Sequence, residues 1–278
     1  MPETMTHAHE TISGDALTKF KEVQKAAWSH FAPLETFTTP PAARLVNHAH
    51  VMPDHRVLDV ACGTGVVAIT AARLGAEVTG IDLTPELIER AHENSRIAAM
   101  DIQWHQGDVE ELPFEDESFD VVLSQFGHMF APRPAVAVAQ MLRVLKPGGT
   151  IAFSTWPPEF YIGRLMAIVA RYAPPPPAGV APPPLWGDPN VVRERLGSAV
   201  RDIAFDGGTM WVPALSPQHH REFSERTAGP VLKLVETLST KDPAALARFR
   251  SEYESLAIEY IEDNLLRQEF LMTRAAKI

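Results

Sequence analysis

Short apolar runs alternate with amphipathic stretches between residues 56 and 156, and the pattern loosens on either side. Val57 to Val60 reads as a strand. It runs into a small-residue turn, Ala61 to Gly65, and Val66-Val67-Ala68-Ile69 opens a helix that Gly75 ends. Glu77 to Asp82 is a second strand, after which Thr84, Pro85 and Glu86 form a helix-start signature and Leu87, Ile88 and Ala91 mark the inward face. Ile102 to His105 is a third strand, Phe119 to Ser124 a fourth and Thr150 to Trp156 a fifth. Pro134 starts the helix between the last two, and Lys146-Pro147-Gly148-Gly149 stops it. The fourth strand is nearly all apolar, as in a parallel sheet covered on both faces. Such βαβ spacing predicts a doubly wound α/β sheet, with ligands at the carboxyl ends of the strands.

The flanks are less regular. Residues 1–13 are polar, and a solvated tail accounts for His7 and His9 better than a metal pair. Leu17, Phe20, Val23 and Ala27 lie at helical spacing, followed by Trp28 and Phe31; a second helix is expected from Pro41 to His50. Past 156, a helix is expected from Tyr161 to Tyr172, then a stiff proline-rich connector at 174–184 and a short helix from Val191 to Leu196. A strand from Asp202 to Pro213, helices at 217–240 and 243–264, and a strand from Gln268 to Ala275 complete the pattern. The two helices interrupt the last strand pair and are placed to lie over the ligand edge. The division expected is 1–44 as tail and N-terminal cap helix, 45–156 as cofactor-binding core, and 157–278 as helical cap with the last two strands.

Composition narrows the class. At 45% hydrophobic and 22% charged residues the chain is an ordinary globular protein. No apolar run reaches the roughly 18–20 residues of a membrane span, and the acidic N-terminal stretch resembles no leader. One cysteine, Cys62, fits a reducing cytoplasm and reads as a packing residue. A net charge of -10 argues against a nucleic-acid partner, which needs a Lys/Arg surface. No Cys/His/acid cluster has metal-ligand spacing.

The chemistry is read from the strand ends. Gly63-x-Gly65-x-x-Ala68, with Asp82 17 residues beyond Gly65, matches a loose dinucleotide pattern, so a nicotinamide enzyme is one reading. Asp59 opposes it: a carboxylate just upstream of the turn would face a pyrophosphate with like charge, whereas it suits an ammonium or sulfonium. Asp108 and Val109, after the third strand, suit an adenine, the carboxylate accepting from its exocyclic amine and the valine packing on its ring.

VLDVACGTG at 57–65, VTGIDLTPELIERA at 78–91, GDVEELPFEDESFDVVLS at 107–124 and LKPGGTIAFSTW at 145–156 together resemble the class I S-adenosylmethionine-dependent methyltransferases. The nearest resemblance is to the type 11 group related to ubiquinone- and menaquinone-biosynthesis enzymes. The resemblance covers about 50–156 and departs at Ala61, where the family usually has glycine. It implies a Rossmann-like, mostly parallel seven-stranded sheet with an antiparallel last strand and a helical cap. It also implies S-adenosylmethionine as cofactor: Asp59 with the Ala61 and Gly63 backbone, in the loop that Gly65 closes, on the methionine part; Asp82 on the ribose hydroxyls; Leu83 on the adenine; Asp108 and Val109 on the adenine edge; and Ser124 with Gln125 or Phe126 beside the sulfonium.

Methyl transfer from a sulfonium is an in-line displacement with a neutral leaving group, so catalysis is mainly positioning. His128, four residues past Ser124, is the first candidate for a base, ahead of His30, His48, His50, His219 and His220; a packing role is its alternative. Aromatics in the cap segments (Trp28, Phe31, Phe37, Trp156, Phe160, Tyr161, Trp186, Phe223) point to a small apolar or aromatic acceptor. A homodimer is left open, and a cofactor-binding protein without turnover is the alternative from another class.

Overall fold

The computed structural model describes residues 14–278; His7 and His9 lie outside them. Strand β1 (Arg56–Val60) is buried from Val57 onward, as its unbroken apolar run requires. It lies between β2 (Glu77–Asp82) and β4 (Phe119–Gln125), parallel to both. With β3 (Gln103–Gln106), β5 (Leu145–Thr155), β6 (Val200–Pro213) and β8 (Leu265–Lys277) the sheet order is β3-β2-β1-β4-β5-β8-β6. Strand β8 is antiparallel to both of its neighbours, and a two-residue strand β7 (Ile261–Glu262) pairs on it as an eighth. The order reverses between β1 and β4, which opens a crevice above their carboxyl ends.

Helices cover both faces. On one, α2 (Glu35–His48) and α3 (Val66–Ala72) bury Leu45, Val46, Val67 and Ala71 against Val57, Val78 and Leu123. On the other, α5 (Pro134–Val144) sets Met141 and Leu142 into a cluster with Leu58, Val122 and Ile151. Each of the Leu, Val, Ile and Met side chains contributes ~1.5–3 kcal/mol when fully buried. Helix α4 (Pro85–Ile97) packs Leu87, Ile88 and Ala91 beside β2. The cap has its own core: Leu165 and Ile168 of α6 (Tyr161–Tyr172) meet Leu234 of α9 (Gly229–Lys241) and Phe249 and Leu256 of α10 (Pro243–Ile258). Helix α8 (Pro217–Thr227) and the N-terminal α1 (Gly14–Trp28) complete this layer, and α7 (Pro189–Leu196) flanks β6.

Four expectations shift. The second helix starts at Glu35 and carries Pro40 and Pro41 inside it; Glu35 is held by the Arg90 guanidinium and by Asn94 Nδ2 at 2.9 Å, which anchors that turn to α4. Strand β5 begins at Leu145, because the Lys-Pro-Gly-Gly segment is absorbed by a register shift between Phe119↔Leu145 and Val121↔Thr150. The single helix expected at 217–240 is two, parted at Ala228 before Pro230, which has no N–H to continue a helix. The last helix stops at Ile258, since Asp263 and Asn264 take φ +50° and +60° and form a two-residue hairpin turn into β8.

Candidate active site

The carboxyl ends of β1, β2 and β3 bring three acids to the crevice. Asp59 is 1% exposed; its Oδ2 accepts from the Ala68 amide of α3 at 3.0 Å, while Oδ1 is buried with no partner. Burial pushes its pKa up to about 8, with Asp82 adding in the same direction. Asp82 Oδ2 accepts from the Gly63 amide (2.8 Å) and Oδ1 from the Thr84 amide (2.9 Å); burial still raises its pKa. Asp108 Oδ1 accepts from the Glu110 amide at 2.8 Å, and Oδ2 from Lys21 Nζ of α1 at 2.5 Å. Lys21 also reaches Glu110 (2.6 Å), which Arg133 Nε holds from the other side (2.8 Å). The N-terminal helix is thus tied to the ligand edge by charge, with Trp28 edge-on to Phe130 at 4.8 Å and Gln24 Nε2 donating to the Phe130 carbonyl at 3.1 Å.

The loop after β1 doubles back through positive φ at Ala61 (+52°), Gly63 (+55°) and Gly65 (+83°). At Gly65 a side chain is excluded twice over: by φ, and because an added Cβ would lie 2.5 Å from the Trp104 indole beneath it. The loop is also held by Asn94 Nδ2, which donates to the Thr64 carbonyl at 3.0 Å. At the end of β4, Phe126 sits at φ +61°, rare for a bulky residue, with its ring stacked on Trp156 at 3.9 Å between centroids.

These ends open into a cavity of about 270 Å³ that continues upward into the cap. Of the residues singled out from the sequence, Asp59, Ala61, Gly63, Asp82, Leu83, Asp108, Val109 and Gln125 line it together. Gln125 Nε2 donates to the Thr38 carbonyl at 2.7 Å, and its Oε1 is buried and unpartnered. Three do not reach the cavity wall. Gly65 faces Trp104. Ser124 Oγ donates to the Val60 carbonyl (2.7 Å) and accepts from the His128 amide (3.2 Å), so it pins β4 to β1.

His128 is the third, and it corrects the choice of base. Its ring lies 4.6 Å from that of Phe153 and 4.7 Å from that of Trp186, with both nitrogens buried and unpartnered. Burial lowers its pKa to about 3, so it is a neutral packing ring behind the sheet edge. The histidine that does line the cavity is His220 of α8, and Tyr161, Ser224 and Tyr253 line it as well. The weak sequence signal was the spacing of His220 and Ser224, four apart on one helix face; nothing local marked that face as inward. Trp28, Phe31, Phe37 and Trp156 line the wall too, whereas Phe160, Trp186 and Phe223 do not.

Charge decides what fits. A pyrophosphate would meet three acid side chains with Lys21 committed to one of them, would leave Asp59 protonated and its Oδ1 without a cationic partner, and would find the Gly63 amide already serving Asp82. A ligand with an ammonium end instead satisfies the orphaned Asp59 Oδ1. Burial raises the Cys62 pKa, so its thiol is neutral. Among the described residues no group of three or more His, Cys, Asp or Glu could hold a metal ion, and no helix is long and apolar enough to cross a membrane.

Comparison with known proteins bears on the family and the fold. A family model described as a methyltransferase domain matches residues 58–153. The uncharacterized protein Rv1403c of Mycobacterium tuberculosis is 34% identical over 244 residues, 87% of this chain and 89% of that one. A ubiquinone biosynthesis O-methyltransferase of Xanthomonas campestris pv. campestris is 34% identical over 155 residues, 55% of this chain and 63% of that one. Among solved structures, the YcgJ protein of Bacillus subtilis superposes with a TM-score of 0.57 at 17% identity, covering 85% of this chain and 97% of that one. Phosphoethanolamine N-methyltransferase 2 of Haemonchus contortus, in complex with S-adenosyl-L-methionine, gives 0.53 at 19% identity, covering 86% and 52%. This chain carries a methyltransferase domain and belongs with the methyltransferases.

Proposed function

We propose that the protein methylates a small, uncharged, apolar or aromatic molecule by in-line displacement. The observation that carries this reading is the continuity of one cavity: three strand-end acids lie at its base and an apolar cap wall, with Ile162, Leu165, Met166 and Val231, at its top. When bound, S-adenosylmethionine supplies an electrophilic methyl group on a sulfonium and leaves as a neutral thioether.

In this reading each residue has a task. Asp59 ionises against the ammonium of the methionine part. The backbone of Ala61 and Gly63 borders that part, and Asp82 accepts from the ribose hydroxyls while holding the loop through Gly63. Leu83 and Val109 sandwich the adenine, with Asp108 on its edge and Lys21 closing over the same carboxylate. Gln125 offers its free Oε1 beside the reacting centre. Residues 45–156 then serve the cofactor, and the segments 14–44 and 157–278 enclose the acceptor. Water exclusion and alignment of the acceptor are the main contributions, worth roughly 7–11 kcal/mol in favourable cases. The acidic balance of the chain supports a small molecule over a nucleic acid as partner.

The test is conversion of S-adenosylmethionine to S-adenosylhomocysteine across a panel of phenols, quinones, amines and carboxylic acids. Turnover with uncharged aromatics is expected. Tight cofactor binding with no turnover on any class would favour a cofactor-binding protein without transfer.

A further inference from the structure

The upper cavity wall is apolar except at one spot. Tyr161 of α6, His220 and Ser224 of α8, and Tyr253 of α10 converge there from three helices of the cap, all of them cavity-lining. They are deeply buried: Tyr161 and Tyr253 are fully inaccessible and His220 is 4% exposed. The His220 ring lies 5.8 Å from that of Tyr161 and 6.0 Å from that of Tyr253. Part of the cluster is self-satisfied, since the Tyr253 hydroxyl donates to Ser224 Oγ at 2.7 Å.

The other part is not. The Tyr161 hydroxyl lies beside that of Tyr253, whose own proton goes to Ser224, but makes no hydrogen bond of normal geometry with it, and His220 Nδ1 is buried without a partner. Buried polar atoms are nearly always paired, and two unpaired ones on residues that line one cavity mark a place that a ligand can complete. One is a hydroxyl that can donate; the other is a nitrogen of an imidazole that burial keeps neutral, with a pKa lowered to about 4. A neutral imidazole can accept a hydrogen bond through whichever nitrogen is unprotonated. The pair therefore presents one donor and one acceptor, which is the complement of a single hydroxyl group. A ketone would use the donor only, and an ether likewise.

Charge narrows the ligand further. Among the described residues, the Lys, Arg, Asp and Glu side chains that line the cavity are Lys21, Asp59, Asp82 and Asp108, all at the strand-end side. A carboxylate, phosphate or ammonium in the cap would thus be buried without a counter-charge, which is strongly unfavourable. Its neighbours Leu165, Met166 and Val231 suit a flat hydrocarbon body.

We propose that Tyr161 and His220 are the recognition pair for the hydroxyl group of an uncharged aromatic acceptor. Tyr161 donates to the hydroxyl oxygen and His220 accepts the hydroxyl proton's hydrogen bond. This rests on the reading of the cap as the acceptor chamber.

The test uses the full-length protein saturated with S-adenosylhomocysteine and a panel of one- to three-ring phenols, each paired with its methyl ether. Binding is followed by calorimetry, with no turnover required. At least one phenol should bind tenfold or more tighter than its ether. Tyr161→Phe and His220→Phe should each reduce that ratio to about threefold or less while leaving S-adenosylhomocysteine affinity unchanged, which also shows that the variants fold. His220→Gln, which keeps an acceptor, should recover part of the ratio. A panel with no phenol preferred over its ether, or a preference that survives in both Phe variants, overturns the recognition pair. Failure of the wild-type protein to bind S-adenosylhomocysteine would instead overturn the underlying methyltransferase assignment of this cavity, so the two failures are separable.

Discussion

Asp82, at the end of β2, accepts a hydrogen bond from the backbone amide of Gly63 at 2.8 Å, and so fastens the end of one strand to the loop that follows its neighbour. The same carboxylate is proposed for the ribose, so one side chain would both shape the loop and bind the ligand. Asp82→Ala is expected to weaken S-adenosylmethionine binding by 100-fold or more, and Asp82→Asn, which keeps one acceptor, by less. Calorimetric titration measures both, and undiminished binding in the alanine variant would sink the assignment.

Asp59 couples binding to pH. Its pKa is ordinary in the unfolded chain, ~3.9, and about 8 in the folded, ligand-free protein. Between these values the folded state keeps a proton that the unfolded chain has lost. Stability therefore falls as pH rises, by up to ~1.4 kcal/mol per pH unit. Asp82 acts in the same sense, while the Cys62 thiol beside them stays neutral. His128 and His220, with pKa values of about 3 and about 4, act in the opposite sense, since their unfolded imidazoles are protonated below ~6.5 and the folded ones are not. The acid effect thus stands alone between pH ~6.5 and 8, where the melting temperature of the ligand-free protein should fall and that of Asp59→Asn should fall less. An ammonium ligand expels the proton, so cofactor binding at pH 7 should release close to one proton, measurable by calorimetry in buffers of different ionisation enthalpy.

His128 packs outside the cavity wall, so its loss is expected to spare the chemistry. His128→Leu removes two buried nitrogens that have no partner, each a liability of ~1–3 kcal/mol, and keeps most of the packing against Phe153 and Trp186. The variant should retain the wild-type turnover rate with equal or higher thermal stability. A loss of turnover beyond tenfold at unchanged stability would restore it as a base.

Ala61 occupies φ +52° in the cofactor loop. The left-handed region costs a non-glycine residue ~1–2 kcal/mol, against the ~0.5–1 kcal/mol that glycine loses in chain entropy. Ala61→Gly should therefore stabilise by about 0.5–1 kcal/mol, or ~1–3 °C in melting temperature. Differential scanning calorimetry resolves a shift of that size.

Helix α1 lies over the cavity and is held mainly at its polar positions. None of its residues is buried, and Lys21 ties it to Asp108 and Glu110. Lys21→Met should raise amide hydrogen exchange across α1 severalfold without lowering the melting temperature of the core. Cofactor should protect α1 in the wild-type protein and protect it less in the variant.

Much of the fold was legible because the signals are local. The alternation from Arg56 to Trp156 needs only periodicity, and the strand-end acids follow from where each apolar run stops. Ala228-Gly229-Pro230 and Asp263-Asn264 are equally local, and each carries a boundary that apolar periodicity runs across: a missing N–H at Pro230 and paired positive φ at the hairpin turn. Ser124 and His128 were misplaced for a different reason. Both lie in the right block of sequence, but whether a side chain points at the cavity or back into the sheet depends on one residue of register and on the strained turn at Phe126.

The sequence by itself determined the sheet, the loop and the class of cofactor, since a run of buried strand, a small-residue turn and a terminal acid recur as adjacent units. Only the tertiary structure decided what meets the cofactor. Lys21 closes on Asp108 across 87 positions, and Tyr161, His220 and Tyr253 converge from three helices with no shared motif. Those contacts arise from the packing of amphipathic helices on one another. Periodicity shows that such a helix has an inner face, but not which partner fills it or which polar side chains are trapped between them.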